Sequence, residues 1–268
     1  MAAQEPDHAA LVRRYVELWQ LRVDSPAAWG PTVPVRTADG TPALLKVEAA
    51  DNEHLVLRRW AGEGAVRLLR ADPHLRVLLT ERVTAQTLDG LTDEEACRIV
   101  AGLHARLHVP ALPQLPSAVD ELALWAEEHR APRGQVPRRL VEQAVALAHD
   151  LAADRRGAEV VLHGNLHFDS VHAADREPWL AIDPRPVNGD PHDEVVAMLT
   201  RRWDAVADHV RDGIRLRFWT LVDAAGLDED RARAWVVVRM VQAATDAAGP
   251  DATSAVTRYL AVAKAVQD

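Results

Sequence analysis

The chain has 268 residues, and 31 lysines and arginines against 40 aspartates and glutamates give it a formal net charge of −9. A net-acidic chain without a basic stripe repels a phosphate backbone, which argues against nucleic-acid binding. The single cysteine, Cys97, excludes an intrachain disulfide and a zinc site built from several cysteines. No apolar run reaches the roughly 18 residues of a membrane span, and the first 19 residues lack the apolar core of a signal peptide. We therefore expect a soluble cytoplasmic protein with no membrane partner.

The basic residues are distributed very unevenly between the two types. Only two of the 31 are lysines, Lys46 and Lys264, and the rest are arginines. This bias, together with abundant alanine and valine, indicates a GC-rich genome and suggests an actinobacterial source. Lys46 therefore stands out as a lysine retained where nearly every other basic position is arginine.

The first 83 residues predict one helix, about four strands and one inserted short helix. The Asp-Gly pair at 39–40 is a hairpin turn signal between strands at 34–37 and 42–47. Further elements are expected as a short helix at 51–60 ended by Gly62, and as strands at 65–69 and 75–83 joined at Asp72-Pro73. The first helix follows a possible Asp7 cap and is predicted by apolar residues at helical spacing: Val12, Val16, Trp19, Val23.

The rest of the chain is mostly helical in pattern. Thr92 and Glu95 form a capping box, which predicts a helix that runs to Pro110. Helices are also predicted at 117–130 and 137–153, and three or four more between 194 and 266. A strand-rich island interrupts them, with strands at 160–162, 170–173 and 179–182. The sequence thus predicts an α+β fold with a small β-rich N-terminal lobe, residues 1–83, and a larger mainly helical C-terminal lobe, residues 84–268.

The island carries the densest group of polar residues, at positions 163–171, His-Gly-Asn-Leu-His-Phe-Asp-Ser-Val. Loops on a rigid scaffold are where catalytic residues concentrate. His163 and His167 could bind a metal, but Gly164 and the extended backbone argue against the helical pair of histidines that zinc proteases use. A polar loop whose histidines satisfy buried backbone groups is the simpler alternative.

The loop resembles the catalytic loop of the aminoglycoside phosphotransferase family, which reads His-Gly-Asp-Leu-His-x-x-Asn-Val. The continuation through Ile182-Asp183-Pro184 and Gly189-Asp190-Pro191 is similar to the streptomycin and hydroxyurea kinase branch. Ordered matches cover essentially the whole chain, in the segments 34–47, 53–69, 78–82, 105–108, 194–195 and 235–239.

The resemblance implies a bilobal protein-kinase-like fold with ATP, or another nucleoside triphosphate, and Mg²⁺ bound in the cleft between the lobes. Lys46 matches the lysine that binds the α- and β-phosphates, and Glu53 matches the helix carboxylate that holds it. Asp183 matches the Mg²⁺-binding aspartate. The interlobe hinge that offers backbone groups to adenine would be the run Thr80, Glu81, Arg82 and Val83.

Two positions depart from the family pattern. Asn165 stands where the family has its catalytic aspartate, and an amide cannot accept a proton near neutral pH. Ser170 stands where the family has a metal-binding asparagine, and a hydroxyl is the poorer Mg²⁺ ligand. His163 opens the same motif. Asp169 and Asp193 are neighbouring carboxylates that could replace the missing base.

These departures leave two functions open. One is ATP-dependent O-phosphorylation of a small hydroxylated antibiotic or metabolite, with impaired catalysis. The other is a pseudokinase that binds nucleotide or ligand in a regulatory or scaffold role. The acidic residues on the helices of the C-terminal lobe could hold a cationic sugar, but charged helix faces are usually only solvated, and no substrate contact is assigned.

Overall fold

The structure is a computed structural model that describes residues 8–24, 31–129, 136–154 and 159–267. Asp7, the predicted cap of the first helix, lies outside these ranges. The chain divides into two compact units, one of residues 1–86 with 172–186 and one of residues 87–171 with 187–268. Our predicted division of the lobes follows Val83, whereas the compact units change after Gln86 and the first unit also takes in residues 172–186.

The first unit is built on a five-stranded antiparallel sheet in the order β1-β2-β3-β5-β4. Alternate residues of β2 and β3 are buried, and they pack with Val12 and Tyr15 of α1 in one apolar core. The predicted turn at Asp39–Gly40 is confirmed, with Gly40 at φ +88°. The elements of this unit are α1 (His8–Leu18), β1 (Arg22–Val23), β2 (Thr32–Arg36), β3 (Pro42–Lys46), α2 (Glu53–Trp60), β4 (Leu68–Asp72), β5 (Val77–Glu81) and, from its second segment, β8 (Leu180–Ala181).

Two predicted elements of the first unit are shifted. The helix pattern continued to Val23, but Gln20 adopts φ +55° and α1 ends at Leu18, so that Val23 pairs with Val35 in the sheet. The strand predicted at 65–69 begins only at Leu68. Ala65 instead forms an isolated parallel bridge with Ala181, in which the Val66 amide donates to the Ala181 carbonyl oxygen and the Ala181 amide donates to the Gly64 carbonyl oxygen. No local pattern predicts this long-range partner.

The second unit is mainly helical. Thr92 and Glu95 form the predicted capping box at the start of α3, because the Thr92 side chain accepts from the Glu95 amide and the Glu95 side chain accepts from the Thr92 amide. Its apolar core joins α4, α5, α8 and α9 around Trp125 and Trp235. The elements are α3 (Asp93–Leu107), α4 (Ala118–Glu128), α5 (Arg138–Ala153), β6 (Val160–Leu162), β9 (Val187–Gly189), α6 (Val195–Thr200), α7 (Val210–Ala225), α8 (Glu229–Asp246) and α9 (Ala252–Ala265).

The predicted strand-rich island is confirmed in its position. Strand β6 pairs with β9, and β7 (Val171–His172) pairs with β8, so two short ladders flank residues 163–170. The α+β fold class with a β-rich and a helical part is confirmed. No helix in the described ranges has both the length and the apolar character that a membrane crossing needs.

Candidate active site

Lys46 is the last residue of β3, and its ammonium group is the centre of a charge cluster in the first unit. Its Nζ donates to both carboxylate oxygens of Glu53, at 2.9 and 2.8 Å, and to Oδ1 of Asp183 at 2.6 Å. Burial by itself would lower the pKa of Lys46, but the two carboxylates outweigh it and raise that pKa. The ammonium is therefore charged at neutral pH and held on two sides.

Glu53 is placed by the start of a helix. It is the first residue of α2, where a carboxylate interacts favourably with the helix dipole. Its side chain is only 2% exposed, and Oε2 also accepts the Ala50 amide at 2.9 Å. A buried carboxylate with an ammonium and an amide as donors has a fixed orientation.

Asp183 reaches the same ammonium from residues 172–186, the second segment of this unit. It adopts φ +54°, a left-handed conformation that costs energy in a non-glycine residue. Its side chain is 53% exposed, so the carboxylate is both fixed to Lys46 and open to solvent. Such a carboxylate can bind a further ligand while it keeps its hydrogen bond to Lys46.

The residues predicted as the hinge are tied into the same unit by their side chains. The Glu81 carboxylate accepts the Arg67 amide at 2.7 Å and the Arg176 guanidinium. The Arg82 guanidinium donates to the carbonyl oxygens of Val35 and Ala43. These bonds stiffen the end of β5, while the role of Thr80 to Val83 in binding adenine stays a prediction.

The loop at 163–170 belongs to the second unit. Gly164 has φ +70°, which lets the backbone turn sharply just before Asn165. His163 is fully buried, whereas Asn165 is only half-buried. The loop closes with a 3-10 turn at Phe168–Ser170, where the Asp169 amide donates to Nδ1 of His167.

Ser170 holds this loop together through its hydroxyl. The Oγ donates to the Asn165 carbonyl oxygen at 2.6 Å and accepts the His167 amide at 2.8 Å. A hydroxyl has one proton and two lone pairs, so these bonds leave one lone pair for another partner. Ser170 is 2% exposed, and its main observed contacts are with the backbone of its own loop.

The two carboxylates considered as replacement bases differ in their surroundings. Asp193 is held by the Arg239 guanidinium through Nε at 2.9 Å and Nη2 at 2.7 Å. Asp169 is 57% exposed. Partial burial of Asp89, and the hydrogen bond and like charge of Asp169 beside it, raise the pKa of Asp89. Because its side chain is 57% exposed while Asp193 is held by Arg239, Asp169 is the more accessible of the two candidate bases.

Sequence reasoning did not single out the carboxylate that contacts the loop backbone. Glu194 accepts the Gly164 amide at 2.6 Å through Oε1, and its Oε2 lies 3.0 Å from Nε2 of His108. In the sequence, Glu194 and His108 were noted only as members of the segments 194–195 and 105–108, which match the family. The pattern of short polar residues at 188–194 offered no sign of which carboxylate would be buried, since burial depends on how α3 packs.

The residues present fit a magnesium nucleotide in part. Mg²⁺ in proteins is usually bound by one or two carboxylates together with substrate phosphates and water. The half-exposed Asp183 carboxylate can supply one such ligand, and the Lys46 ammonium beside it can bind phosphate oxygens. Within the described ranges, no three or more histidine, cysteine or acidic side chains are arranged to hold a metal by themselves. The phosphates would therefore have to supply the remaining ligands.

Comparison with known proteins gives consistent results. Residues 20–249 match the family model "Aminoglycoside/hydroxyurea antibiotic resistance kinase". A hydroxyurea phosphotransferase of Kitasatospora aureofaciens is 39% identical over 249 residues, covering 86% of this chain and 70% of that protein. A streptomycin 6-kinase of Streptomyces griseus is 38% identical over 259 residues, covering 87% and 80%.

Solved structures agree on the fold. An aminoglycoside phosphotransferase of Streptomyces rimosus, in complex with ADP and streptomycin, superposes with a TM-score of 0.57 at 18% identity, covering 88% of this chain and 98% of that one. At this identity the likeness concerns the fold, and it confirms the kinase-like architecture expected from the resemblance.

Proposed function

The chain belongs to the aminoglycoside/hydroxyurea antibiotic resistance kinase family, and we propose on that basis that it transfers a phosphoryl group from ATP to a hydroxyl of a small antibiotic or metabolite. The observation that carries the proposal is the assembled set of Lys46, Glu53 and Asp183 in the first unit. A lysine fixed by a helix carboxylate and a nearby metal-binding aspartate are the parts that kinases use to hold a nucleoside triphosphate.

In this proposal each residue of the first unit has a defined task. Lys46 binds the α- and β-phosphates, and Glu53 keeps its ammonium in place. Asp183 would hold Mg²⁺, which would supply positive charge to neutralise the phosphates. The backbone of residues 80–83 contacts adenine. In the second unit, Ser170 is the candidate second metal ligand through its remaining lone pair.

The loop of the second unit would place Asn165 within hydrogen-bonding distance of the substrate hydroxyl. His163 is the first residue of the motif in this loop. The Asn165 amide can accept a hydrogen bond from the hydroxyl and orient it, but it cannot take the proton. Phosphoryl transfer depends chiefly on positioning and charge stabilisation. We therefore propose a slow kinase, in which the hydroxyl proton leaves to solvent or to an accessible carboxylate such as Asp169.

The second candidate function is a pseudokinase that binds nucleotide without turnover, in a regulatory or scaffold role. One observation favours it, namely that Asn165 and Ser170 both differ from the residues that the family motif has at these positions. The nucleotide-binding residues of the first unit are retained in both proposals. The two functions therefore differ in chemistry and not in nucleotide affinity.

The deciding experiment measures ATP consumption together with the mass of the product. Streptomycin, other aminoglycosides and hydroxyurea are each offered with Mg²⁺-ATP, and Asp183→Asn is the matched control. A product heavier by one phosphoryl group, absent with the control variant, supports the kinase. Nucleotide binding without product on every substrate supports the pseudokinase, and absence of nucleotide binding contradicts both.

A further inference from the structure

Arg176 connects the loop between β7 and β8 to the end of β5 within the first unit. Its Nε donates to Oε2 of Glu81 at 3.2 Å, and its Nη2 donates to Oε1 of Glu81 at 2.7 Å. Nη2 also donates to the Ala65 carbonyl oxygen at 3.3 Å. Two parallel bonds between a guanidinium and a carboxylate fix the orientation of both groups as well as their separation.

Glu81 is held at its backbone as well as at its side chain. Its Oε1 accepts the Arg67 amide at 2.7 Å, and its own amide donates to the Arg67 carbonyl oxygen at 3.0 Å. The side chains of Arg176 and Glu81 are only 22% and 18% exposed, and the hydrogen bond to Glu81 raises the pKa of Arg176 above its usual value. A single exposed ion pair contributes little, whereas a two-point pair within a network of bonds has a defined geometry. The Arg176–Glu81 pair is of the second kind.

Residues 172–186 also hold the chain just beyond the predicted hinge. The Thr84 amide donates to the Ala173 carbonyl oxygen at 2.9 Å. Between Glu81 and Thr84, Val83 makes no backbone–backbone hydrogen bond to any residue in the described ranges. The backbone groups of Val83 therefore lie between two fixed points of the chain and are available to a ligand.

We propose that Arg176, acting through Glu81, is a positioning residue that sets the place of the hinge backbone for the base of the nucleotide. The inference rests on the proposed function, in which residues 80–83 contact adenine. Hydrogen bonds need their donor and acceptor within a narrow range of distances and angles. A hinge released from Arg176 should therefore bind the base less well.

The phosphate contacts of Lys46 and Asp183 should survive the loss of this pair. Asp183 follows Ala181, whose amide donates to the Gly64 carbonyl oxygen at 2.9 Å and whose carbonyl oxygen accepts the Val66 amide at 3.1 Å. These backbone bonds do not involve the guanidinium. An effect on binding of the base, without an effect on binding of the phosphates, thus separates positioning of the hinge from general loosening of the unit.

The test compares two probes, Mg²⁺-ATP and magnesium tripolyphosphate, which carries a chain of three phosphates without base or ribose. Isothermal titration calorimetry on the full chain measures both dissociation constants. We expect Arg176→Gln to raise the dissociation constant of Mg²⁺-ATP at least about fivefold, the equivalent of one lost hydrogen bond, and to change that of tripolyphosphate less than about twofold.

Three further variants test the pair itself. Glu81→Gln should weaken Mg²⁺-ATP binding as much as Arg176→Gln does, and the double variant should lose no more than either single variant, because all remove one interaction. Arg176→Lys keeps the charge but not the two-point geometry, so it should bind Mg²⁺-ATP more weakly than the wild type. Arg138→Gln removes an arginine–glutamate pair on α5, in the other unit, and should leave both dissociation constants unchanged. Thermal melting without ligand determines the folded fraction of each variant, and Arg176→Lys replaces Arg176→Gln if the latter does not fold.

The inference is overturned if the folded Arg176 variant binds Mg²⁺-ATP as tightly as the wild type, or if its affinities for the two probes fall by the same factor. It is also overturned if the wild type binds Mg²⁺-ATP no more tightly than tripolyphosphate, since the base then contributes nothing. Turnover is not needed for these measurements. A wild type that binds Mg²⁺-ATP but forms no phosphorylated product contradicts the proposed kinase, and the binding data still decide the role of Arg176. A wild type that binds neither probe contradicts both.

Discussion

At the scale of single residues, proton transfer in the proposed reaction depends on whether the side chain at position 165 ends in a carboxylate or in an amide. A carboxylate there would accept the substrate proton, and general-base help of this kind is typically worth 10²–10⁴-fold in rate. The amide of Asn165 keeps the size and one acceptor oxygen but has no basic site. The structure places this residue between two backbone anchors, the Gly164 amide held by Glu194 and its own carbonyl group held by Ser170. In the proposed function, an amide at this position therefore changes the transfer of the proton and not the geometry.

Restoring the family residues should therefore restore rate. We expect the double variant Asn165→Asp with Ser170→Asn to raise phosphotransfer or background ATP hydrolysis at least about tenfold. The two effects should not be additive, because base and metal act on one transition state. Initial rates with Mg²⁺-ATP and the substrate panel measure the change.

The single variants serve as controls for this experiment. Ser170→Asn also removes the hydroxyl that bonds to the Asn165 carbonyl and the His167 amide, so by itself it should gain little or lose rate. A wild type that already turns over briskly, and that gains nothing from Asn165→Asp, would show that another residue is the base. In that case Asp169 is the first carboxylate to remove.

At the scale of elements, α3 carries two histidines to the buried Glu194. His104 and His108 lie one turn apart on this helix, and their rings stack with centroids 5.1 Å apart. Neither ring nitrogen of His104 has a hydrogen-bond partner in the described part of the chain. Burial lowers the pKa of His104 to about 4, and the charge of Glu194 offsets only part of that effect.

A histidine with a lowered pKa makes stability depend on pH in one direction. The unfolded chain binds more protons than the folded one between pH 4 and the ordinary value of 6.5, so stability is lost as the pH falls through this window. We expect His104 to cost about 2 kcal/mol of unfolding free energy between pH 7 and pH 5. The variant His104→Leu should lose correspondingly less over the same range.

Denaturant unfolding at pH 7, 6 and 5 measures this difference. The exposed His74 offers a control. We expect His74→Leu to lose as much unfolding free energy between pH 7 and pH 5 as the wild type does. Parallel pH profiles for His104→Leu and the wild type would contradict the prediction. Such a result would mean that the ring at position 104 is as easily protonated in the folded protein as in the unfolded chain.

At the scale of the whole molecule, the first unit gathers its site from segments far apart in sequence. Lys46 and Asp183 are 137 positions apart, and both belong to the unit of residues 1–86 and 172–186. A ligand that binds only the folded protein stabilises it by roughly 2.7 kcal/mol at a hundredfold excess over its dissociation constant. For a chain of this size that is a rise in melting temperature of roughly 5–10 °C.

Thermal melting with and without Mg²⁺-ATP tests this expectation, and the two lysines of the chain provide a matched pair. We expect Lys46→Met to abolish the nucleotide-dependent rise. Lys264→Met removes the same charge from an exposed position at the end of α9 and should leave the rise intact. An unchanged melting temperature at millimolar nucleotide, or an equal rise in Lys46→Met, would contradict nucleotide binding by this unit.

The sequence by itself determined much of the local structure and the family. The Asp-Gly turn at 39–40 and the capping box of Thr92 and Glu95 are confirmed because each depends on bonds among neighbouring residues. The ordered motifs were enough for the family, which the comparisons confirm. The sequence could also nominate Lys46, because a lysine retained in an arginine-rich chain is visible without a structure.

Only the tertiary structure decided which charges are buried and whom they contact. Ala65 pairs with Ala181 instead of joining β4, and Glu194 lies under the loop beside His108, because long-range packing sets both. Local sequence patterns carry no information on such partners, because the sequence around a glutamate is the same whether its side chain is solvated on a turn or buried beneath a loop. Burying that charge costs free energy, which its hydrogen bonds to the Gly164 amide and His108 offset, and both the burial and the bonds exist only in the folded chain.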